Sequence, residues 1–142
     1  MRGMLDLGCV ELKLEAKDME EVLEKLCALF LKSGAASDAK ELYEAFLERE
    51  RKGATSLGFE VATPHAKSGC VIRPALAFAR LDRAIAWGDE EVSLIFAIAV
   101  PKDASNEHLN ILAQLARKLV DKAFLQELKE AKTALDIKAA LR

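Results

Sequence analysis

The run "VSLIFAIAV" (92–100) constrains the fold more than any other stretch of this sequence. It is strand length, far short of the roughly 20 residues a membrane-spanning helix needs. It is also almost wholly apolar. A strand with no polar alternation is buried on both faces, so each side of its sheet must be covered. The flanking segments supply the cover. "VELKLEA" (10–16) alternates, with Val10, Leu12 and Leu14 facing one way and Glu11, Lys13 and Glu15 the other, which predicts a half-buried strand. "DMEEVLEKLCALFLKSG" (18–34) then switches to helical spacing. Asp18 is its cap, Glu21 completes a capping box, and Gly34 stops it. A second helix follows, capped by Ser37, with Leu42, Ala45 and Phe46 inward and Gly53 at its end.

"LGFEVAT" and "CVIRPALAFARL" carry short extended runs. "SNEHLNILAQLARKLVD" (105–121) predicts an amphipathic helix with Ser105 as cap and Leu109, Leu112, Leu115, Ala116 and Leu119 as its stripe. Asp121 and Thr133 start two shorter helices. The order is strand, two helices, a cluster of strands, then helices. It predicts an α/β fold, a three-layer α/β/α sandwich with a mixed central sheet. The 142 residues form a single domain, 1–142.

A net charge of −2 speaks against nucleic acid and anionic membrane surfaces as partners. Cys9, Cys27 and Cys70 are odd in number and without a CxxC pattern, which fits reduced thiols and a cytoplasmic location. Cys70 reads as a small apolar filler.

"VATPHAKSG" (61–69) places one of the two histidines after a proline and among small residues. Pro64 holds Thr63 extended and fixes its own φ, so the chain reaching His65 is stiff. Stiffness with little surrounding bulk suits a nucleophile that must meet a large partner. A neutral imidazole keeps one nitrogen lone pair for attack when its other N–H is held. His108 falls in the first turn of the 105–121 helix, where the positive end favours a neutral ring and free N–H groups can hold an anion. Arg49 closes the second helix in "FLERERKG", and arginine is the side chain best shaped to grip phosphate oxygens. Together the three make a coherent phosphohistidine site if the fold unites them. Taken alone, each also reads as an ordinary surface residue. No HxH or HxxxH spacing implies a metal ion, no GxSxG elbow a hydrolase, and no GxxxxGK[ST] loop a nucleotide. No cofactor is expected.

Five segments in order, "LYEAFLERE", "GFEVATPHAKS", "VIRPALAFARL", "LIFAIAVP" and "HLNILAQLARKLVD", resemble the enzyme IIA component of the fructose/mannitol class of the bacterial phosphoenolpyruvate–sugar phosphotransferase system. The resemblance runs nearly end to end and implies the same α/β/α fold. It implies that His65 is the phosphoacceptor, with His108 and Arg49 supporting it, and that Arg49 and Glu50 of "LYEAFLERE" match the family's Arg-Glu pair. It also implies that HPr is the donor, that a cysteine of enzyme IIB is the acceptor, and that the membrane component IIC is served indirectly, with no insertion of this chain into the membrane. The alternative it leaves is a regulatory switch that binds other proteins according to its phosphorylation state. Two positions depart from the family pattern. Glu60 replaces a glycine, which implies an ordinary backbone there or a carboxylate near the site; a carboxylate would repel phosphohistidine, so Glu60 is expected to point away. Thr63 replaces Ile or Leu. Ala66 and Ser68 are the residues expected in the docking surface around His65.

Overall fold

The computed structural model describes residues 2–105 and 107–142. Strand β1 (Leu5–Leu14) leads into helices α1 (Met19–Lys32) and α2 (Ala39–Arg51). Three short strands follow: β2 (Ser56–Gly58), β3 (Val61–Ala62) and β4 (His65–Ser68). Two long strands, β5 (Ala75–Trp87) and β6 (Glu90–Pro101), precede helices α3 (Glu107–Leu119), α4 (Lys122–Glu130) and α5 (Ala134–Ala140). The sheet order is β1-β5-β6-β3-β2, with β4 also on β6. β1 runs parallel to β5, and β3 and β4 run parallel to β6; the β5–β6 and β2–β3 pairs are antiparallel. The sheet is therefore mixed, as the element order predicts.

The apolar run is the middle of β6, and Leu94 to Val100 are all buried. Its side chains divide strictly by parity. Ile95, Ala97 and Ala99 join Ala77 and Ala79 of β5 under α1 and α2, against Leu23, Leu26, Phe30 and Phe46. Leu94, Phe96, Ile98 and Val100 join Leu76 and Phe78 under α3 to α5, against Ile111, Leu115, Phe124 and Ile137. Alanines on one face let α1 and α2 pack close, while the larger side chains of the other face fill the space under three shorter helices. The result is the three-layer sandwich.

Local signals account for most element ends. The Asp18, Asp121 and Thr133 side chains accept the N–H of Glu21, Ala123 and Asp136. Four details differ from expectation. The Glu21 carboxylate takes the N–H of Lys17, one residue before the cap. Asp38 caps α2, because Ser37 instead bonds the carbonyl of Cys70. Leu14 faces α1 rather than sharing a face with Val10 and Leu12, because a bulge between Glu11 and Leu14 turns the strand over. In α3, Ile111 is buried while Leu109 and Ala116 are exposed, so the stripe is rotated toward Ile111, Leu115 and Leu119. Ser105 lies ahead of α3, and residue 106, next to the helix, falls outside the described residues.

Two features tie distant segments together. Arg80 of β5 donates to the Leu12 carbonyl of β1 at 3.1 Å. Its Nη1 reaches the carbonyls of Leu128, Lys129 and Ala131 at the end of α4, at 3.0, 3.0 and 2.8 Å. Gly88 turns β5 into β6 with φ +64°, and a Cβ there would stand 2.5 Å from the Cβ of Ala54. Cys9, Cys27 and Cys70 are all free and buried, and burial pushes the Cys27 thiol up to about 12.

Candidate phosphohistidine site

β3 and β4 are one interrupted strand lying along β6. Val61 and Ala62 pair with Leu94 and Ile95, and His65 to Ser68 pair with Ile98 to Pro101. The interruption falls at Thr63 and Pro64. Proline has no N–H for a ladder, but its carbonyl still accepts from Ile98 N at 2.9 Å. His65 is therefore the first residue of a strand held in the sheet, not the tip of a loop. Alternation along β4 sends His65 and Lys67 outward and buries Ala66 and Ser68. Of the two small residues expected in a docking surface, Ser68 thus points into the protein, while Ala66, though buried, still lines the cleft beside His65.

The His65 ring has a defined tautomer. Its Nδ1 lies 3.1 Å from the Thr63 carbonyl, which can only accept, so Nδ1 carries the hydrogen. Its Nε2 accepts from Arg49 Nε at 3.1 Å, which requires a lone pair there. Both neighbours specify the neutral Nδ1–H imidazole. Burial holds the His65 pKa below its ordinary 6.5, and the charge of Arg49 and the nearby His108 act in the same direction. The Thr63 hydrogen bond and Glu50 oppose them.

Arg49 sits in the last turn of α2. Its Nη1 donates to the Gly53 carbonyl at 2.8 Å, which orients the guanidinium toward the Nε2 edge of the ring. His108 is the second residue of α3, so the N-terminal turn of that helix reaches the cleft. Its ring stacks on that of His65, with centroids 5.8 Å apart and planes 26° from parallel. His108 Nδ1 is buried with no partner among the described residues. Burial, then the charge of Lys67, hold the His108 pKa down.

His65, His108 and Arg49 thus share one open cleft of about 380 Å³. Lys52, Lys67 and Glu48 line it with them. Lys67 donates from Nζ to the Ser105 carbonyl at 3.2 Å, at the approach to α3. Neither lysine was singled out in the sequence. Lys67 was legible in principle, because it lies two residues from His65 on the same side of one strand. Three cations around two neutral imidazoles make a cleft suited to a small dianion. Among the described residues, no three His, Cys, Asp or Glu side chains gather as a metal site.

Glu60 lies outside the cleft. Its φ is +66° and that of Phe59 is +56°, so the backbone at this departure from the family pattern is left-handed, not ordinary. The side chain does point away from His65: it bonds Lys129 Nζ at 2.7 Å and accepts from the Ser93 hydroxyl at 3.2 Å.

Comparison with known proteins agrees with this fold. The profile of the family described as "Phosphoenolpyruvate-dependent sugar phosphotransferase system, EIIA 2" matches residues 4–142. The "PTS system fructose-like EIIA component" of Escherichia coli K12 is 31% identical over 132 residues, covering 91% of this chain and 89% of the relative. The crystal structure of the nitrogen regulatory protein IIA-Ntr from Neisseria meningitidis superposes with a TM-score of 0.91 at 29% identity, covering 99% of this chain and 98% of that one. The mannitol IIA of Escherichia coli, solved in complex with phosphorylated enzyme IIB, shares the fold with a TM-score of 0.82 at 21% identity, covering 96% of this chain and 97% of that one. No described helix is long and apolar enough to cross a membrane. The chain is a phosphotransferase component and belongs to the EIIA type 2 family of the phosphoenolpyruvate-dependent sugar phosphotransferase system.

Proposed function

We propose that this protein is a phosphocarrier that accepts a phosphoryl group from phospho-HPr on His65 Nε2 and passes it to a cysteine of an enzyme IIB. One observation carries the reading: Nδ1 of His65 is committed to the Thr63 carbonyl while Nε2 turns its lone pair into a cleft ringed by Arg49, Lys52 and Lys67. Nε2 attacks phosphorus as the bond from phosphorus to the donor histidine nitrogen breaks. Nδ1 keeps its proton on Thr63, so the phosphorylated ring is cationic and remains a good leaving group for the thiolate that takes the phosphoryl group next. Arg49 must give up its bond to Nε2 during attack. With Gly53 still held, its other N–H groups can follow the phosphoryl oxygens. Lys67, Lys52 and a donating nitrogen of His108 add charge stabilisation where the transferred group sits. The donor supplies the driving force, so no nucleotide or cofactor enters.

The fructose-like relative favours service to a fructose-type permease, with enzyme IIC reached only through IIB. The close superposition on a nitrogen regulatory IIA favours a second reading, a switch whose phosphorylation state sets protein binding. The test is transfer from phosphoenolpyruvate through enzyme I and HPr to wild type, His65→Ala and His108→Ala, followed by a chase with enzyme IIB. Acid-labile phosphate on wild type but not on His65→Ala, discharged by IIB, is the expected result. Labelling that no IIB discharges would move the protein to the regulatory reading. Absence of label on wild type with a competent HPr would remove both.

A further inference from the structure

Next to Arg49 in sequence, the Glu50 side chain turns away from the cleft and collects three donors. Oε2 accepts from the Thr55 backbone N–H at 3.1 Å and from Trp87 Nε1 at 3.2 Å. Oε1 accepts from the Thr55 hydroxyl. Thr55 passes the arrangement on, because its carbonyl accepts both the backbone N–H of Thr63, at 2.9 Å, and the Thr63 hydroxyl, at 3.3 Å. The Thr63 carbonyl then holds His65 Nδ1. Thr55, Thr63 and Trp87 are 4%, 1% and 0% exposed, so water does not compete along most of this path. The path joins α2 to β5 and to the break between β3 and β4. It gives the Thr63 hydroxyl a partner inside the protein.

We propose that Glu50 is a positioning residue for phosphoryl transfer: through Thr55 and Thr63 it aims the carbonyl that holds the His65 ring with Nε2 toward the cleft. This rests on His65 being the phosphoacceptor. A chain of hydrogen-bonded dipoles starting at a carboxylate orients each next peptide more firmly than an isolated pair would. The same carboxylate anchors the turn from Arg49 to Thr55, so one group sets both the angle of the ring and the base of the guanidinium beside it. Glu50 touches neither the phosphoryl group nor the ring.

The test separates position from stability. Imidazole ¹⁵N shifts report the His65 tautomer in the unphosphorylated protein, and single-turnover transfer from phospho-HPr reports the chemistry. Wild type should show one Nδ1–H tautomer. Glu50→Ala should show mixed tautomers and transfer about tenfold slower, within the range that a misplaced reacting group costs. Glu50→Gln keeps the shape and an acceptor oxygen but loses the charge. With one acceptor oxygen in place of two, it should fall between wild type and Glu50→Ala, with a measurable share of the second tautomer and transfer about threefold slower. Glu50→Ala with the wild-type tautomer and rate, whatever its melting temperature, would overturn the inference and leave Glu50 as a structural anchor. If alanine prevents folding, Glu50→Gln is read alone: an unchanged tautomer and rate overturn the inference, and a shift in both supports it. Failure of wild type itself to accept phosphate would strike the parent reading instead, and the tautomer comparison would still decide the role of Glu50.

Discussion

Replacing Arg49 by lysine separates charge from shape at the cleft. Arg49 makes two bonds at rest, Nε to His65 Nε2 at 3.1 Å and Nη1 to the Gly53 carbonyl at 2.8 Å. The first must be exchanged for bonds to phosphoryl oxygens during transfer, with the second as pivot. Lysine keeps the charge but has a compact head that cannot hold Gly53 and two oxygens at once. The variant should lose at least one charge-assisted hydrogen bond in the transition state, about 1.5–3 kcal/mol. At about 1.4 kcal/mol per decade that is roughly 10- to 150-fold in rate. Arg49→Ala loses the charge as well and should fall further. It should also let the His65 pKa rise, because the guanidinium is one of the groups holding it down. Rapid-quench transfer from phospho-HPr gives the rates, and an NMR titration gives the ring. Arg49→Lys within threefold of wild type, or Arg49→Ala with an unmoved His65 titration, would refute the reasoning.

Three more predictions follow from the fold. His65 and His108 both have pKa values held below 6.5, so the native state binds fewer protons than the unfolded chain between its own pKa values and 6.5. Their contribution to stability is complete above about pH 6.5 and is lost as pH falls below it, toward their folded pKa values. The denaturant midpoint of wild type should therefore fall relative to that of His65→Gln as the pH is lowered through this window; a constant difference would contradict this. At Glu60 the left-handed backbone costs roughly 1 kcal/mol and the exposed pair with Lys129 returns roughly 0.2–1 kcal/mol. Urea unfolding should therefore rank Glu60→Ala below both wild type and Glu60→Gly, with the transfer rate unchanged in each. Gly88→Ala adds a Cβ at a positive φ and against Ala54, and should lower stability by about 1–3 kcal/mol by the same assay.

Sequence patterning reached far into this fold where signals were local. The unbroken apolar run of β6 demanded two covering layers, and Asp18, Asp121 and Thr133 announced helix starts by side-chain chemistry that acts over three residues. It failed where two local solutions were equivalent. Ser37 and Asp38 can both cap, and only the Cys70 carbonyl, 33 residues away, decides between them. A bulge in β1 breaks the parity that would have placed Leu14 beside Leu12. At the site, histidine and arginine stand out because few other residue types do their chemistry. Glu50 is visible only beside Arg49, in the Arg-Glu pair of "LYEAFLERE"; its link to Thr55 and Trp87 is not, because "ERERK" looks like a solvated helix end and Trp87 is 37 residues from Glu50. The positive φ of Glu60 was hidden for another reason: a turn that glycine would adopt freely is here held by the two backbone bonds from Ser93 and Leu94 to the Glu60 carbonyl.

The guanidinium of Arg80 also ties the C-terminal helical layer to the pairing of β5 with β1. It joins β5 to a residue 68 positions earlier and to carbonyls 48 to 51 positions later. Helices α4 and α5 can form early from local contacts, but the last carbonyls of α4 gain this partner only when β5 is in the sheet beside β1. The bonds from Arg80 to the end of α4 can therefore be completed only after long-range strand pairing, the slow part of such topologies. Contacts made late are absent from the folding transition state, so weakening them quickens unfolding and leaves the folding rate almost untouched. Arg80→Met is therefore expected to quicken unfolding more than it slows folding, read from the two limbs of a denaturant chevron.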